Sequence, residues 1–570
     1  MNSKEILQSI SNVSTDHEFY TPIPEGYKVG KTKFILIFGT VMSGLGKGIF
    51  SASIGKLLQD KGFNVAPIKL EGYLNVDSGT LNPYRHGEVF VLDDGIETDM
   101  DLGTYERMLN KNLTKRSFTT SGQIYSSVFE KERRGVYLGR DVQIIPHVTG
   151  EIKLTLRKLA MEQKADVICV EVGGTVGDLE NMHYLEALRE LAYEEGKENV
   201  CVVALTYILT PSILGEQKSK AAQLGIKKLM EEGIQPDLIA CRCPEKVTDT
   251  VREKISIYTN VPLDRVISMH DIKSVYLVPE LLKDAGIDKE IVDVFGLKRR
   301  VDEDKAKKEW KHWEKFTDGI LKPKKTVTIG ITGKYTSLRD SYASVMAALE
   351  HACSAHNVKL EMKWIETTKI ERGTLTIEEA MKGIDGVIVP GGFGKRGVEG
   401  KVTCVKYLRE NNIPYLGLCL GFQVAVLDFA RNVCGLKGAN STEMEKKPTH
   451  PVIDILPEQK KIEGLGGNMR LGGKDVEVKK GTMAYNLYGN KTSVRERFRH
   501  RYEVNPEYIP ILEKKGLVFS GKAPKFPIMQ ILELPDHKFF VGSQFHPEFT
   551  SKPLSPNPLY MGFIKAIVGK

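Results

Sequence analysis

Five apolar runs in the first half of the chain, KFILIFGT, FNVAPIKL, ADVICVEVGG, NVCVVALTYI and QPDLIACR, have the length of buried strands, and the segments between them have helical spacing. This alternation constrains the fold more than any other feature. Continuous apolar strands are buried on both faces, and helices between them supply the cover, so the pattern predicts βαβ units around a parallel sheet. The pattern fades after Phe295 into the charged stretch VDEDKAKKEWKHWEKF and then LKPKK. It resumes at TVTIGITGKY and runs on through GVIVPGG, YLGLCLG and FVGSQFHPEF. A chain of 570 residues is too long for one core. The expected fold class is therefore α/β, with two doubly wound parallel-sheet domains. The expected division is an N-terminal extension over 1–30, a first domain over 31–300, a linker over 301–324 (a polar helix, then an extended segment) and a second domain over 325–570.

Charge and cysteine usage narrow the function. A net charge of +8 is small for this length, and no basic block is interleaved with aromatics, which points to anionic small molecules and away from nucleic acid. The 8 cysteines form no CxxC pair, and Cys241 and Cys243 have no second pair at metal-ligand spacing. Zinc is therefore not expected, and the thiols read as reduced and cytoplasmic. The longest apolar stretch, NVCVVALTYILTPSIL, is too short and too interrupted by polar residues and proline to span a bilayer. The N-terminus has no apolar core of signal-peptide type, so residues 1–30 read as a loose arm or packing segment.

In the second domain, the strand-like IPYLGLCLG ends at Cys419 and helical spacing follows. A cysteine flanked by Gly417 and Gly421 at a strand-to-helix turn is the thiol form of a nucleophile elbow. The helix N-terminus favours a thiolate there. A nucleophile needs a base, and the base needs an orienting group. GSQFHPEF places His546 and Glu548 two residues apart, on one side of an extended segment. PGGFGKRG, Pro390 to Gly397, follows another strand and offers backbone N–H groups as an oxyanion hole. With these three parts in this order, the second domain resembles class I glutamine amidotransferases. The resemblance implies Cys419 as nucleophile, His546 as base and Glu548 as its partner. It also implies Gly392 at the oxyanion, and Gln423, Glu443 and Arg501 toward glutamine.

In the first domain, FILIFGTVMSGLGKGIFSASIGKLL reads as strand, glycine-rich turn and helix, the arrangement whose backbone amides hold phosphate. It is not a strict GxxxxGK[ST], because position 48 is glycine and Gly39 lies too far upstream. Glu171, at the end of an apolar run, and Asp101, in ETDMDLG, are candidate Mg²⁺ ligands. Asp93 and Asp94 read instead as solvated surface. With KLEGYLNVDSG, HGEVF, ETDMDLG, KERRGVYLG, IIPHVT and EVGGTVGD, nearly the whole chain resembles the CTP synthase family, a dethiobiotin-synthetase-type, P-loop-like synthetase domain joined to a class I glutaminase.

That resemblance implies a reaction. ATP phosphorylates O4 of UTP, and ammonia from glutamine displaces the phosphate to give CTP. It implies Ser43, Gly44, Leu45, Gly46, Lys47 and Gly48 as the ATP phosphate loop, with Lys69, and Arg242 and Asp271 near adenine. Lys218, Lys220, Gln223 and Lys254 would grip UTP, in part from a neighbouring subunit. Asp178 and Glu180, with Ser43, would belong to the pyrimidine site shared with the inhibitor CTP. His86 would lie where ammonia arrives, and Arg396 on a lid near which GTP activates. A homotetramer, able to stack into filaments, is implied as well. Two stretches depart from the family pattern: KLEGY replaces KLDPY at Glu71 and Gly72, and KSKAAQ replaces KTKPTQ, with Ala221 and Ala222 for proline and threonine. Two other readings compete. One is an ATP-dependent amidotransferase acting on a cobyrinic-type acid, against which KSK and HGEVF argue. The other is an assembly protein with a decayed site, against which the intact Cys419, His546, Glu548, Lys47 and Glu171 argue.

Overall fold

The computed structural model of the chain describes residues 20–211, 215–333, 339–455 and 469–569. These gather into two compact units. One consists of the chain up to Ser78 with Thr104–Leu109 and Leu113–Lys311; the other of Gly79–Gly103, Asn110–Asn112 and the chain from His312 onward.

The first unit is built on an all-parallel sheet of 7 strands. Lys33–Gly39 lies at its centre, with Val167–Val172 on one side and Val200–Tyr207 on the other. The central strand feeds both cores. Phe34, Leu36 and Phe38 pack into one layer and Ile35 and Ile37 into the opposite one, each at most 1% exposed. Burial on both faces is what made these runs continuously apolar. The strand order reverses at Lys33–Gly39, and in such sheets ligands bind at the carboxyl ends of strands beside that reversal. The glycine-rich loop lies there.

The second unit has a 9-stranded sheet. Val358–Glu366, Lys325–Gly333, Gly386–Val389, Tyr415–Leu418 and Phe540–Ser543 form its parallel half. Four antiparallel strands extend it: Met529–Glu533, Val518–Lys522, Arg470–Val478 and Ser493–His500. The last two are rich in charge, RLGGKDVEV and SVRERFRH, and carry no apolar run. Their strand character comes from pairing with each other from Arg470↔His500 to Glu477↔Ser493.

Gly79–Gly103 is early in sequence but packs in the second unit. Its hairpin, Phe90–Val91 with Glu97–Thr98, lies on the charged strands. Asp93, which reads in sequence as solvated surface, is half-buried; both its oxygens meet the Arg495 guanidinium at 2.9–3.1 Å. Arg497 Nη1 donates to Val91 O (3.2 Å), and the Phe90 and Phe549 rings meet edge to face at 5.0 Å. Gly472 has φ +77°, and a Cβ there would lie 2.6 Å from Gly95 N, so only glycine lets the two turns touch.

The charged stretch forms the helix Glu303–Leu321, with acidic residues in its first turn and Trp313 (1% exposed) and Phe316 (6%) buried on one side. Residues 20–30 of the N-terminal extension pack on the first unit, while 1–19 lie outside the described residues. Tyr20 stacks on His147 (5.5 Å) and meets Tyr137 edge-on (5.2 Å). A Cβ on Gly150 would sit 2.6 Å from the Tyr20 backbone oxygen, so that glycine makes room for the arm. Among the described residues, no helix is long and apolar enough to cross a membrane.

Candidate active sites

Cys419 stands at the N-cap of the helix Leu420–Asn432 with φ 50° and ψ −98°. A left-handed non-glycine residue carries roughly 1–3 kcal/mol of strain, which its surroundings must impose. Here they do so from several sides. Cys419 N–H donates to Ser543 O (2.7 Å). A Cβ on Gly417 would lie 2.2 Å from the Tyr415 hydroxyl, and one on Gly421 would lie 2.1 Å from Val389 O. The two glycines therefore allow close packing around the turn, and the cysteine itself takes the unusual backbone angle.

His546 Nδ1 bonds Glu548 Oε1 at 2.6 Å, and both residues are buried. Desolvation pulls the imidazole pKa down, but the Glu548 charge and the Cys419 sulfur outweigh it and raise it to about 10. Gly391 lies between Cys419 and His546. A Cβ there would be 2.9 Å from His546 Cε1 and 3.5 Å from Cys419 Cβ. Cys419, His546, Glu548, Gly391, Gly392 and Arg396 all line one cavity of about 310 Å³. Glu443 Oε1 accepts Gly394 N–H (2.8 Å), which fastens the PGGFG turn. The Tyr502 hydroxyl, next to Arg501, is raised in pKa by burial and by the Glu443 charge. Gln423 is not among the residues lining the cavity; its amide donates to Tyr502 O (3.0 Å) and Gln544 Oε1 (3.2 Å) beneath the cysteine.

Sequence reasoning missed part of this wall. Arg499 lines the cavity, donates to Glu97 Oε1 (2.7 Å) and lies over the Phe393 ring at 5.3 Å. Gly87 and Glu88 also line it, and Glu88 Oε2 accepts Ser344 N–H (2.7 Å). His86, exposed at the end of the helix Pro83–His86, directly precedes them. HGEVF was visible as a motif, but nothing local signalled which site it would wall.

In the first unit, Gly44 and Gly46 have φ +76° and +80°, and Gly46 is the N-cap of Lys47–Asp60. That helix start has no side-chain cap and no acidic residue in its first turn, so neither offsets the partial positive charge of its N-terminus. Lys47 Nζ donates to Gly174 O (2.8 Å), and a Cβ on Gly39 would come within 2.9 Å of it. Gly44, Leu45 and Gly46 share a cavity of about 120 Å³ with Arg242 and the apolar Met269, Ile272 and Val278, which carry no motif. Arg242 is ion-paired with Asp271.

Lys69 sits between two carboxylates, Glu71 at 3.2 Å and Glu171 at 3.6 Å, and Glu171 also accepts the Tyr105 hydroxyl. Asp101 is in the first turn of Met100–Leu109. Among the described residues, no three His, Cys, Asp or Glu side chains gather as a metal cage. Mg²⁺ held with nucleotide phosphates needs only one or two carboxylates, so the buried Glu171 fits such an ion, with Glu71 on the other side of Lys69. The KLEGY departure has a local reason. A Cβ on Gly72 would lie 2.3 Å from Asn181 Oδ1, so a proline ring there requires Asn181 to move.

The remaining residues lie along surface loops and helix ends. Asp178 Oδ2 accepts Thr175 N–H (2.7 Å) in EVGGTVGD, and Glu180 follows, exposed. Lys218 pairs with Glu216, and Lys220 starts the helix Lys220–Glu231, with its ammonium 5.9 Å from the Tyr258 ring. Lys218, Lys220 and Lys254 are exposed, whereas Gln223 is buried and donates to Ser219 Oγ (3.1 Å).

Residues 33–297 match the family described as CTP synthase N-terminus, and 337–566 the family described as glutamine amidotransferase class-I. A CTP synthase of Pyrococcus abyssi is 50% identical over 537 residues, 94% of this chain and 98% of that protein. One of Methanocaldococcus jannaschii is 46% identical over 544 residues, 94% of this chain and 99% of that protein. A solved glutaminase domain of Trypanosoma brucei CTPS with bound acivicin is 39% identical, covering 43% of this chain and 94% of its own, with a TM-score of 0.40.

Proposed function

The chain belongs to the CTP synthase family, and from that premise we propose that it aminates UTP to CTP with ATP and with ammonia freed from glutamine. ADP, phosphate and glutamate are the other products. One observation carries the reading: a single chain holds both a strained thiol with its His–Glu pair and a glycine phosphate loop with a buried lysine.

At the first of these, Cys419 attacks the glutamine amide, and Gly392 with its neighbouring N–H groups receives the oxyanion. His546 keeps the thiol proton and passes it to the departing nitrogen. Gln423, Glu443 and Arg501 bind the glutamine. Ammonia leaves past His86.

At the other site, the loop from Ser43 to Gly48 holds ATP phosphates, with Arg242 and Asp271 toward adenine. Phosphorylation turns O4 of UTP from a poor leaving group into a good one. Lys47 and Lys69 offset the charge of the transferred group. Glu171 and Asp101 would hold Mg²⁺, which when bound neutralises phosphate charge. Lys218, Lys220, Gln223 and Lys254 bind the UTP triphosphate, with Ser43, Asp178 and Glu180 at the pyrimidine end. GTP acts near Arg396 as activator. The synthetase domain spans 31–300 and the glutaminase domain 325–570, and the enzyme works in the cytoplasm as a homotetramer. Purified protein given UTP, ATP, Mg²⁺ and glutamine should form CTP; glutamate without CTP would count against the reading.

CTP carries the same triphosphate as UTP, so one lysine cluster serves both and product should compete with substrate. Ala221 and Ala222, in place of the family's proline and threonine, lie in the first turn of the helix Lys220–Glu231, so inhibition should persist with altered strength. The check is steady-state inhibition by CTP at several UTP levels, with light scattering for mass. Inhibition that rising UTP cannot relieve, or a monomer that makes CTP, would refute this part.

A further inference from the structure

Glu496, on the strand Ser493–His500, is 3% exposed, and the chemistry described above does not use it. Three donors converge on its carboxylate. Tyr488 Oη donates to Oε1 (2.8 Å), Asn557 Nδ2 to Oε1 (2.9 Å) and Thr550 Oγ1 to Oε2 (2.7 Å). Thr550 lies two residues past Glu548. Asn557 in turn accepts Leu559 N–H (2.9 Å) and caps the helix Pro558–Val568. Glu496 therefore pins both ends of the segment that follows the His–Glu pair.

The same strand grips the histidine directly, because the next residue, Arg497, accepts His546 N–H on its carbonyl (2.8 Å). Phe549 stacks on the imidazole at 4.9 Å and 13°, so a shift of the segment would carry the ring with it. Burial pushes the Glu496 carboxyl up to about 7 against the pull of its three donors.

We propose that Glu496 is a positioning residue for glutamine hydrolysis, setting the height of His546 and Glu548 through Thr550, Asn557 and the strand it shares with Arg497. The proposal rests on the reading of the Cys419 site as a glutaminase. Glutamine can imitate the carboxylate here. Its amide oxygen would accept from Tyr488 and Asn557, and its amide N–H would donate to Thr550. The Thr550 proton would then turn to Pro547 O, already 3.2 Å away. Leucine would fill the volume and accept nothing.

The test compares Glu496→Leu and Glu496→Gln in the full-length protein, with glutamine hydrolysis and ammonia-dependent CTP formation measured side by side. Glu496→Leu should lower kcat for glutamine by ~50-fold, with KM for glutamine within about threefold, because the contacts it breaks orient the base and do not bind substrate. Glu496→Gln should recover kcat to within about fivefold of wild type. Ammonia-dependent synthesis should hold in both, since it uses the other site. The proposal is overturned if Glu496→Leu keeps kcat within threefold, or if Gln and Leu lose it equally. If Glu496→Leu does not fold, Glu496→Asp replaces it. One methylene short, Asp cannot reach Thr550 and Asn557 together and should be slower than Gln; equal rates would overturn the proposal. Wild type inactive on glutamine would instead remove the underlying reading.

Discussion

Cys419→Ala is expected to stop CTP formation from glutamine while leaving formation from added ammonium salts near the wild-type rate. The loss should be ~10³-fold or more, because removing a nucleophile disables the unit of which it is part. The separation follows from where the residue sits. Cys419 lies in a cavity lined wholly by residues of the second unit, and the phosphate loop belongs to the first. Ala also relaxes the backbone little, since the φ of 50° is held by the Ser543 contact and by the packing of Gly417 and Gly421. The measurement is initial rate with each nitrogen source on folded protein. Loss of both activities would show that the two sites do not act separately.

Lys47→Ala should have the complementary effect. Synthesis should fall by ~10²–10³-fold with either nitrogen source, the scale seen when one preorganised charge is removed from a transition state. Basal glutamine hydrolysis should persist, because the thiol chemistry does not use the phosphate loop. Lys47 is only 8% exposed and is aimed by its bond to Gly174 O, so the substitution removes a fixed charge. Normal ammonia-dependent synthesis in this variant would refute the assigned role.

The raised imidazole of His546 has a consequence for stability. The folded pKa of about 10 exceeds the ordinary value of 6.5, so the stabilisation from this charge is complete below 6.5 and is lost as the pH rises through about 10. The melting-temperature difference between wild type and His546→Gln should shrink across that window. A constant difference would mean that the imidazole carries no such charge.

Much of this was legible because it was local. Strands buried on both faces announce themselves as apolar runs. The turn at Cys419 and the pair His546 and Glu548 each occupy a few consecutive residues, although Pro547–Phe549 is a 3₁₀ turn and not the extended segment expected from the i, i+2 spacing. The helix start at Lys47 likewise shows in its glycines. What the sequence hid was long-range pairing. Asp93 meets Arg495 across 402 positions, and Glu97 meets Arg499 across the same span. Each residue alone reads as an ordinary surface charge. The same is true of the cavity wall. Gly87, Glu88 and Arg499 share a cavity with Cys419 only because the hairpin at 90–98 lies on strands that are themselves held by pairing. The bonds from the Gln423 amide to Tyr502 O and Gln544 Oε1 are long-range in the same way, and the motif alone does not show them.

Nitrogen released at Cys419 should become the amino group of CTP. The most direct measurement gives the protein UTP, ATP, Mg²⁺ and glutamine labelled with ¹⁵N at the side-chain amide, and reads the CTP by mass spectrometry and ¹⁵N NMR. The expected result is ¹⁵N on the exocyclic 4-amino group of the CTP, with glutamate and ADP formed in step. Labelled ammonia and glutamate without CTP, or CTP that carries no label, would contradict it.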